Sequence, residues 1–288
     1  FTIHHPPSTI HVLMFTPPPA NCPLCPRLVA FRAANAAQFP QFFNGAVPPF
    51  GDLNAQMLVV GLAPGLKGAN ASGRPFTGDF AGDVLYEALA KHGFARGTYD
   101  PSKFIAKTGV VDVPPPLGGR LGGGLSGAEA VPNFGPTPTL PLRGREVSAP
   151  GSDNFVLHNV RITNAVRCVP PENKPTPLEE KTCNPFLINE IAAMPNLKLI
   201  LSLGLTSHQA VLRTFKLKVK DYKFVHGAVH QVVEGGEWRV AYAKSPVTRH
   251  PSLLLLDSYH TSRYNISTGR LTQAMFDAVV AQAKALLG

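Results

Sequence analysis

A glycine-rich loop in the first third of the chain has the composition of a ligand-binding segment. It follows the apolar residues 57–60, which predict a short buried strand. Glycine lets a backbone approach a ligand closely and adopt a positive φ. Phe76 follows a proline in this loop, and an aromatic ring there suits stacking on a planar base. The spacing fits neither a P-loop nor G-x-G-x-x-G, so base binding and binding of another ligand both remain open.

Two other segments place hydrogen-bonding side chains near the ends of predicted strands. Residues 160–166 are strand-like, and Asn164 within them can offer an acceptor and an NH2 donor, or can simply hold a turn. Residues 253–256 predict the last strand. His260 follows that strand, whereas His250 precedes it in an Arg-His-Pro-Ser segment.

Four cysteines form two pairs that are distant in sequence. Cys22 and Cys25 are separated by two residues, and Cys168 and Cys183 bracket a proline-rich loop. Four thiolates without a competing histidine spacing can hold zinc or a [4Fe–4S] cluster, and the spacing does not distinguish the two. Two disulfides are the alternative, which a reducing compartment disfavours.

Helices and strands alternate along most of the chain. Helices are predicted at 27–39, from 79 to a stop at Gly93, and at 185–194, 206–215 and 273–287. The strands between them are predicted at 57–60, 160–166, 197–204 and 253–256, with a hairpin at 232–242. This order predicts an α/β fold, a three-layer α/β/α sandwich around a mainly parallel sheet of about four strands.

Composition bounds the partners and the domain organisation. The 288 residues carry 27 Lys plus Arg against 18 acids, a net charge of +9, which favours a polyanionic partner such as nucleic acid without requiring it. No apolar run reaches the roughly 20 residues of a membrane helix. We expect a flexible N-terminal tail at 1–20 and a single domain at 21–288, interrupted by a Pro/Gly-rich insertion at about 112–152.

Three motifs resemble those of the uracil-DNA glycosylase superfamily, and specifically its family 5 (UDGb). The first is Gly-Leu-Ala-Pro-Gly at 61–65 with Gly-Arg-Pro-Phe-Thr-Gly-Asp at 73–79, and the second is the strand ending near Asn164. The third, at 257–272, contains Tyr-His-x-Ser-Arg and Thr-Gly-Arg-Leu-Thr. Because the third motif should follow the last strand, the resemblance selects His260 over His250. Thr261 stands where proline is common, and the resemblance breaks at the insertion.

The resemblance implies hydrolysis of the N-glycosidic bond of uracil in DNA, leaving an abasic site. Phe76 would stack on the extruded base, Asn164 would read its O4 and N3–H, and His260 would donate a hydrogen bond to O2. Family 4 members carry an acid where this chain has Leu62, so Asp79 is the remaining acid, either catalytic or only a helix N-cap. Other deaminated bases such as hypoxanthine are a secondary expectation. The substrate pocket would also include Gly61, Ala63, Pro64 and Gly65.

Further expectations from the resemblance concern the cofactor, the partners and the cellular location. A [4Fe–4S] cluster would bind to Cys22, Cys25, Cys168 and Cys183. The protein would act as a monomer in the cytoplasm of a bacterium or archaeon, associated with the nucleoid. A non-catalytic binder of uracil or abasic sites in DNA is the alternative. The DNA contacts would come from Arg74, Arg263, Tyr264, Asn265 and Arg270.

Overall fold

A computed structural model of the chain describes residues 15–104, 153–234 and 252–288. All of them belong to one unit formed by 1–106 and 150–288. The predicted insertion at 112–152, the part of the predicted hairpin after residue 234, and His250 lie outside the described residues. In the part of the chain that the structure describes, no helix is both long enough and apolar enough to cross a bilayer.

A five-stranded sheet forms the centre of the described unit. The strands are β1 (Met57–Gly61), β2 (Ala95–Arg96), β3 (Val156–Leu157), β4 (Val160–Asn164), β5 (Leu199–Leu203), β6 (Val229–Glu234) and β7 (Ser252–Ser258). The central sheet has the order β4-β1-β5-β7-β6, in which only β6 is antiparallel to its neighbour, while β2 and β3 form a separate small ribbon. The prediction of a mainly parallel sheet is confirmed. The strand number is five instead of about four because β6 pairs directly with β7.

Helices cover both faces of this sheet. They are α1 (Pro26–Gln38), α2 (Ala69–Ser72), α3 (Phe80–Lys91), α4 (Pro177–Ala192), α5 (Leu205–Thr214), α6 (Arg263–Ser267) and α7 (Gln273–Leu287). Successive side chains of a strand point to opposite faces. On β1, Met57 and Val59 accordingly pack in the core with α3 and α7, whereas Leu58 and Val60 pack in the core with α4 and α5. The structure thus confirms the three-layer α/β/α sandwich.

Helix α4 begins eight residues before its predicted start at Pro185. The Thr176 hydroxyl accepts a hydrogen bond from the Glu179 amide, and the Glu179 carboxylate accepts one from the Thr176 amide. This capping box, with a proline at the first helical position, fixes the helix N-terminus. Pro185 lies inside the helix instead of at its start. The earlier start matters for the cysteines because it places Cys183 on α4.

The described part of the predicted tail, residues 15–20, contacts the rest of the unit. The Ala20 carbonyl accepts hydrogen bonds from the Ala46 amide and from the Arg32 guanidinium. The Phe15 ring lies 5.4 Å from the guanidinium carbon of Arg161. These residues therefore belong to the folded unit, whereas residues 1–14 lie outside the described chain.

Candidate active site

The register of the parallel strands brings the three motifs to one edge of the sheet. Gly61, the last residue of β1, pairs with Asn164, the last residue of β4. Leu203 at the end of β5 pairs with Ser258 at the end of β7. Ligands of open α/β sheets bind outside the carboxyl ends of the strands. The glycine-rich loop, Asn164 and the segment after β7 therefore share one binding edge.

Gly61 lies where the Asn164 side-chain amide and the Phe76 ring come together. A Cβ atom built on Gly61 would lie 2.5 Å from Asn164 Oδ1 and 2.6 Å from Phe76 Cζ, closer than real Cβ atoms approach other atoms. Any side chain at this position would therefore displace one of the two groups. The close approach explains the glycine without invoking an unusual backbone angle.

The backbone turn that carries the Phe76 ring is fixed on both sides. Phe76 has a φ of +53°, an unusual value for a residue with a large side chain. The Tyr86 hydroxyl donates a 2.5 Å hydrogen bond to the Pro75 carbonyl, and the Ser72 hydroxyl bonds to the Thr77 carbonyl, so both sides of the turn are fixed. The ring centroid lies 6.2 Å from that of His260. The structure thus brings Phe76 and His260 together beside Asn164.

The Asn164 side chain is buried and yet free to bind a ligand. Only 3% of the residue is exposed. Among the described residues, no protein group makes a hydrogen bond with the side-chain amide of Asn164. Buried amides are nearly always paired in folded proteins. The Asn164 amide atoms are not among the fully buried polar atoms without a partner, so they keep access to open space at the binding edge, where a ligand could reach them.

His260 lies two residues after β7 on a turn that is fixed at two points. The Asn265 amide donates a 2.7 Å hydrogen bond to the His260 carbonyl, and the Thr261 hydroxyl donates to the Ala81 carbonyl at 3.1 Å. Burial lowers the pKa of His260 to about 4, so the imidazole is neutral at pH 7. Within the described residues, the imidazole has no hydrogen-bond partner. Asn265, which the sequence predicts as a DNA contact, also supports the turn that carries His260.

Asp79 is an N-cap whose second oxygen faces the glycine-rich loop. One carboxylate oxygen accepts a 3.0 Å hydrogen bond from the Gly82 amide at the start of α3. The other would lie 2.3 Å from a Cβ at Gly68 and 3.1 Å from one at Gly65. Burial raises the pKa of Asp79. The cap and a role toward the loop are therefore compatible, because they use different oxygens.

The remaining predicted pocket residues lie along the first turns of the loop. The Leu62 carbonyl accepts a hydrogen bond from the Val166 amide, which extends the pairing beyond β1 and β4. Ala63 packs against the apolar cluster that contains the cysteines, Pro64 is buried, and the Gly65 carbonyl accepts from the Asn70 amide. The loop thus lies between the Asn164 edge and the cysteines.

A buried hydrogen-bond network supports the end of β7 and was not predicted from the sequence. The Asp257 carboxylate is fully buried and accepts from the Ser202 hydroxyl at 2.7 Å. It also contacts His208 Nδ1 at 2.8 Å and His230 Nε2 at 3.0 Å. His260 lies three residues after Asp257, so this network supports the strand end that leads to His260. The pattern Asp-Ser-Tyr-His was the available signal, but nothing in it indicated which partners Asp257 would have.

The residues predicted to bind DNA divide into buried and exposed groups. Arg74 is 8% exposed, and its guanidinium makes two 2.8 Å hydrogen bonds to the Asp153 carboxylate. The Arg74 guanidinium is thus engaged in an ion pair with Asp153 in this structure, and its predicted contact with phosphates stays a prediction. Tyr264 is 71% exposed, and Arg263 and Arg270 are also exposed. These three remain available on the surface beside His260.

The four cysteines line one cavity. Cys22 and Cys25 precede and cap α1, Cys168 follows β4, and Cys183 lies on α4. All four are free thiols that border a cavity with about 340 Å³ of empty space, its open mouth included. Burial raises the pKa of the Cys25 thiol to about 11 and that of Cys168 to about 12, and neighbouring cysteines add to both shifts. Elements far apart in sequence thus bring the thiols together.

The arrangement of the sulfur atoms is wider than a single zinc ion needs. In the described chain, which includes all four cysteines, no three of these sulfurs lie within 4.8 Å of one another. Four thiolates around one zinc at about 2.3 Å would be closer than that. Arg167 also borders the cavity, and its Nε and Nη1 donors have no partner among the described residues. Four thiols and the unpaired N–H groups of Arg167 together suit an anionic metal centre in this cavity.

Comparisons with known proteins agree with this geometry. The family model described as the uracil DNA glycosylase superfamily matches residues 48–284. The type-5 uracil-DNA glycosylase of Thermus thermophilus is 35% identical over 272 residues, covering 93% of this chain and 94% of that protein. Those of Mycobacterium leprae and Pyrobaculum aerophilum are 32% and 30% identical, each over 93% of this chain and over 92% and 90% of their own lengths. This chain therefore belongs to the uracil-DNA glycosylase superfamily and, within it, to the type-5 family.

Proposed function

We propose that this protein is a monofunctional DNA repair glycosylase that hydrolyses the N-glycosidic bond of uracil in DNA and leaves an abasic site. The observation that carries the proposal is the convergence of Phe76 and Asn164 on Gly61, with the neutral His260 imidazole beside the Phe76 ring. The named activity of the type-5 relatives supports the same conclusion.

Recognition begins when the target nucleotide leaves the base stack, at a cost of a few kcal/mol. The Phe76 ring then stacks on one face of the base. The Asn164 NH2 donates to uracil O4, and its Oδ1 accepts from uracil N3–H. Cytosine presents the opposite pattern at ring position 4, so the same amide orientation disfavours it. Because Asn164 is buried, an unpaired base edge there would leave polar groups without partners.

Bond cleavage separates charge between the sugar and the base. As the bond lengthens, the sugar becomes cationic and negative charge develops at N1 and O2 of uracil. His260 donates a hydrogen bond to O2, and a preorganised donor of this kind contributes about 3–4 kcal/mol. Water then attacks the sugar, with the free oxygen of Asp79 as the acid available to orient it. No lysine in the three motifs suits Schiff-base chemistry, so strand cleavage by a lyase step is not part of the proposal.

The cofactor that fits the cysteine cavity is a [4Fe–4S] cluster. Cys22, Cys25, Cys168 and Cys183 would hold it, and when bound it supplies a structural link between the N-terminal segment, the end of β4 and α4. The residues of the base pocket perform the chemistry without it. Exposed Arg263, Tyr264 and Arg270 would contact the DNA around the vacated position. We further propose that the protein acts as a monomer in the cytoplasm, on the nucleoid, and that hypoxanthine is a second substrate.

The central test is a glycosylase assay on oligonucleotides that contain uracil, hypoxanthine or a thymine mismatch. Alkali treatment should cleave the uracil strand at the abasic product, without any added metal. Tight complexes on gels with no released base would instead indicate a non-catalytic binder. The absence of abasic product from both single- and double-stranded substrates would exclude the enzyme.

The role of Asp79 can be separated from its helix cap by a single substitution. Asparagine caps helices as well as aspartate does, so Asp79→Asn should keep α3 stable while removing the charge. We expect uracil excision to fall by about 10²-fold if the carboxylate orients water. The matched control is Asp83→Asn, which removes a neighbouring exposed acid of the same helix turn and should leave the rate unchanged. If Asp79→Asn kept full activity, Asp79 would serve only as the N-cap of α3.

A further inference from the structure

Two buried arginines share a single buried carboxylate, so this group of side chains carries a net positive charge. Glu190 is fully buried and accepts hydrogen bonds of 2.6 Å from Arg161 Nε and of 2.6 Å from Arg167 Nη2. The Thr163 hydroxyl donates to the same carboxylate. Both arginines are buried, so one carboxylate faces two guanidinium groups. Burying an unpaired charge is costly, and this set therefore needs a further anion nearby.

Arg167 indicates where that anion lies. It is 1% exposed, and only its Nη2 has a hydrogen-bond partner among the described residues, whereas Nε and Nη1 have none. The residue borders the cysteine cavity. The unpaired donors therefore belong to a buried cationic side chain that borders the same cavity as the four sulfur atoms.

A second guanidinium reaches the same group of sulfurs from α1. Arg32 Nη1 donates to Cys168 Sγ at 3.4 Å, and its other hydrogen bonds go to the backbone carbonyls of Ala20 and Cys22. Arg32 is 6% exposed, and no carboxylate of the described chain pairs with it. Two buried arginines thus face the four thiols, one from α1 and one from the segment after β4.

We infer that Arg167 and Arg32 donate hydrogen bonds to the sulfur atoms of an anionic metal centre held by the four cysteines, and that they balance its charge. The inference rests on the proposed [4Fe–4S] cofactor. Four thiolates carry two more negative charges than a [4Fe–4S]²⁺ core carries positive ones, which the two guanidinium groups offset. Hydrogen bonds to cluster sulfurs and nearby charge set both cluster retention and reduction potential.

The experiment compares purified full-length variants by visible absorption near 400 nm, iron content and redox titration. Arg167→Met and Arg32→Met should lose the absorption about 10-fold faster than wild type in the presence of a chelator. Their reduction potentials should be lower, because a positive charge near the cluster favours the added electron. Arg167→Lys keeps the positive charge, so its reduction potential should lie between those of Arg167→Met and the wild type.

Arg161→Met is the matched control. It removes the other buried arginine that pairs with Glu190, and Arg161 does not border the cysteine cavity. It should lower thermal stability and leave the potential unchanged. If Arg167→Met fails to fold by circular dichroism, Arg32→Met decides, because Arg32 has no contact with Glu190.

Two results would overturn the inference, and they differ from each other. In the first, the wild type contains iron and absorbs at 400 nm, and Arg167→Met and Arg32→Met match it in cluster retention and reduction potential. That result would reject only the role of the arginines. A wild-type protein without iron would reject the cofactor and the inference together. Neither result would affect the proposed glycosylase activity, which the DNA assay tests separately.

Discussion

Asn164→Ala should reduce uracil excision by about 10³-fold or more under single-turnover conditions. The substitution leaves O4 and N3–H of the flipped base without partners in a buried site. Each unmade hydrogen bond there costs about 1–3 kcal/mol, so the pair accounts for about 4 kcal/mol, and every 1.4 kcal/mol is tenfold in rate. Since the Asn164 amide has no hydrogen bond to the described part of the protein, its removal should leave thermal stability nearly unchanged.

Two variants make this result specific to base reading. Asn164→Asp keeps the shape and the acceptor but removes the NH2 donor, and we expect it to lose uracil excision as well. Asn184→Ala removes an amide that hydrogen-bonds to Thr214 and Ala210 between α4 and α5, so it should lower stability while the rate persists. If Asn164→Ala retained wild-type rates, the assignment of the uracil-reading residue would be wrong.

His260→Ala should slow excision by about 10²- to 10³-fold, the effect expected for loss of one preorganised donor to a developing anion. The carbonyl of residue 260, which Asn265 holds, survives the substitution, so the turn should keep its position. His250→Ala should have little effect. The opposite ranking of these two variants would show that the third motif has been assigned to the wrong histidine.

The charge state of His260 gives this prediction a pH dependence. Burial lowers the pKa of His260 to about 4, so the imidazole is neutral above that value and charged below it. The single-turnover rate constant of the wild type should therefore be flat between about pH 6 and pH 8. A decline as pH rises through the ordinary histidine value of about 6.5 would mean that a protonated imidazole is the active donor.

Periodicity was enough to predict most of the fold, because the elements of the central sheet are apolar and regularly spaced. The strands at 57–60 and 197–204 and the helix at 273–287 appear within a few residues of their predicted bounds. The errors come from signals that compete locally. Pro185 looked like a helix start, although the capping box at 176–179 provides a stronger one. The pairing of β6 with β7 depends on tertiary contacts that no local pattern reveals.

The site was predictable where its chemistry is local and unpredictable where it depends on packing. Motif resemblance identified Phe76, Asn164 and His260, and the structure brings them together. The contacts that Arg74 makes with Asp153 and that Asn265 makes with the His260 carbonyl could not be predicted, because they depend on tertiary packing. The unpaired donors of Arg167 likewise depend on what surrounds a side chain in three dimensions.

The hydroxyl of Thr261 has a consequence for protein engineering. Its hydrogen bond to the Ala81 carbonyl ties the turn that bears His260 to the first turn of α3, which Asp79 caps. The His260 imidazole and the Asp79 carboxylate therefore share one mechanical support. A chimera that exchanges residues 257–272 with a proline-bearing relative would lose this crosslink, and would have to regain the alignment of the two groups through the rigidity of the proline ring.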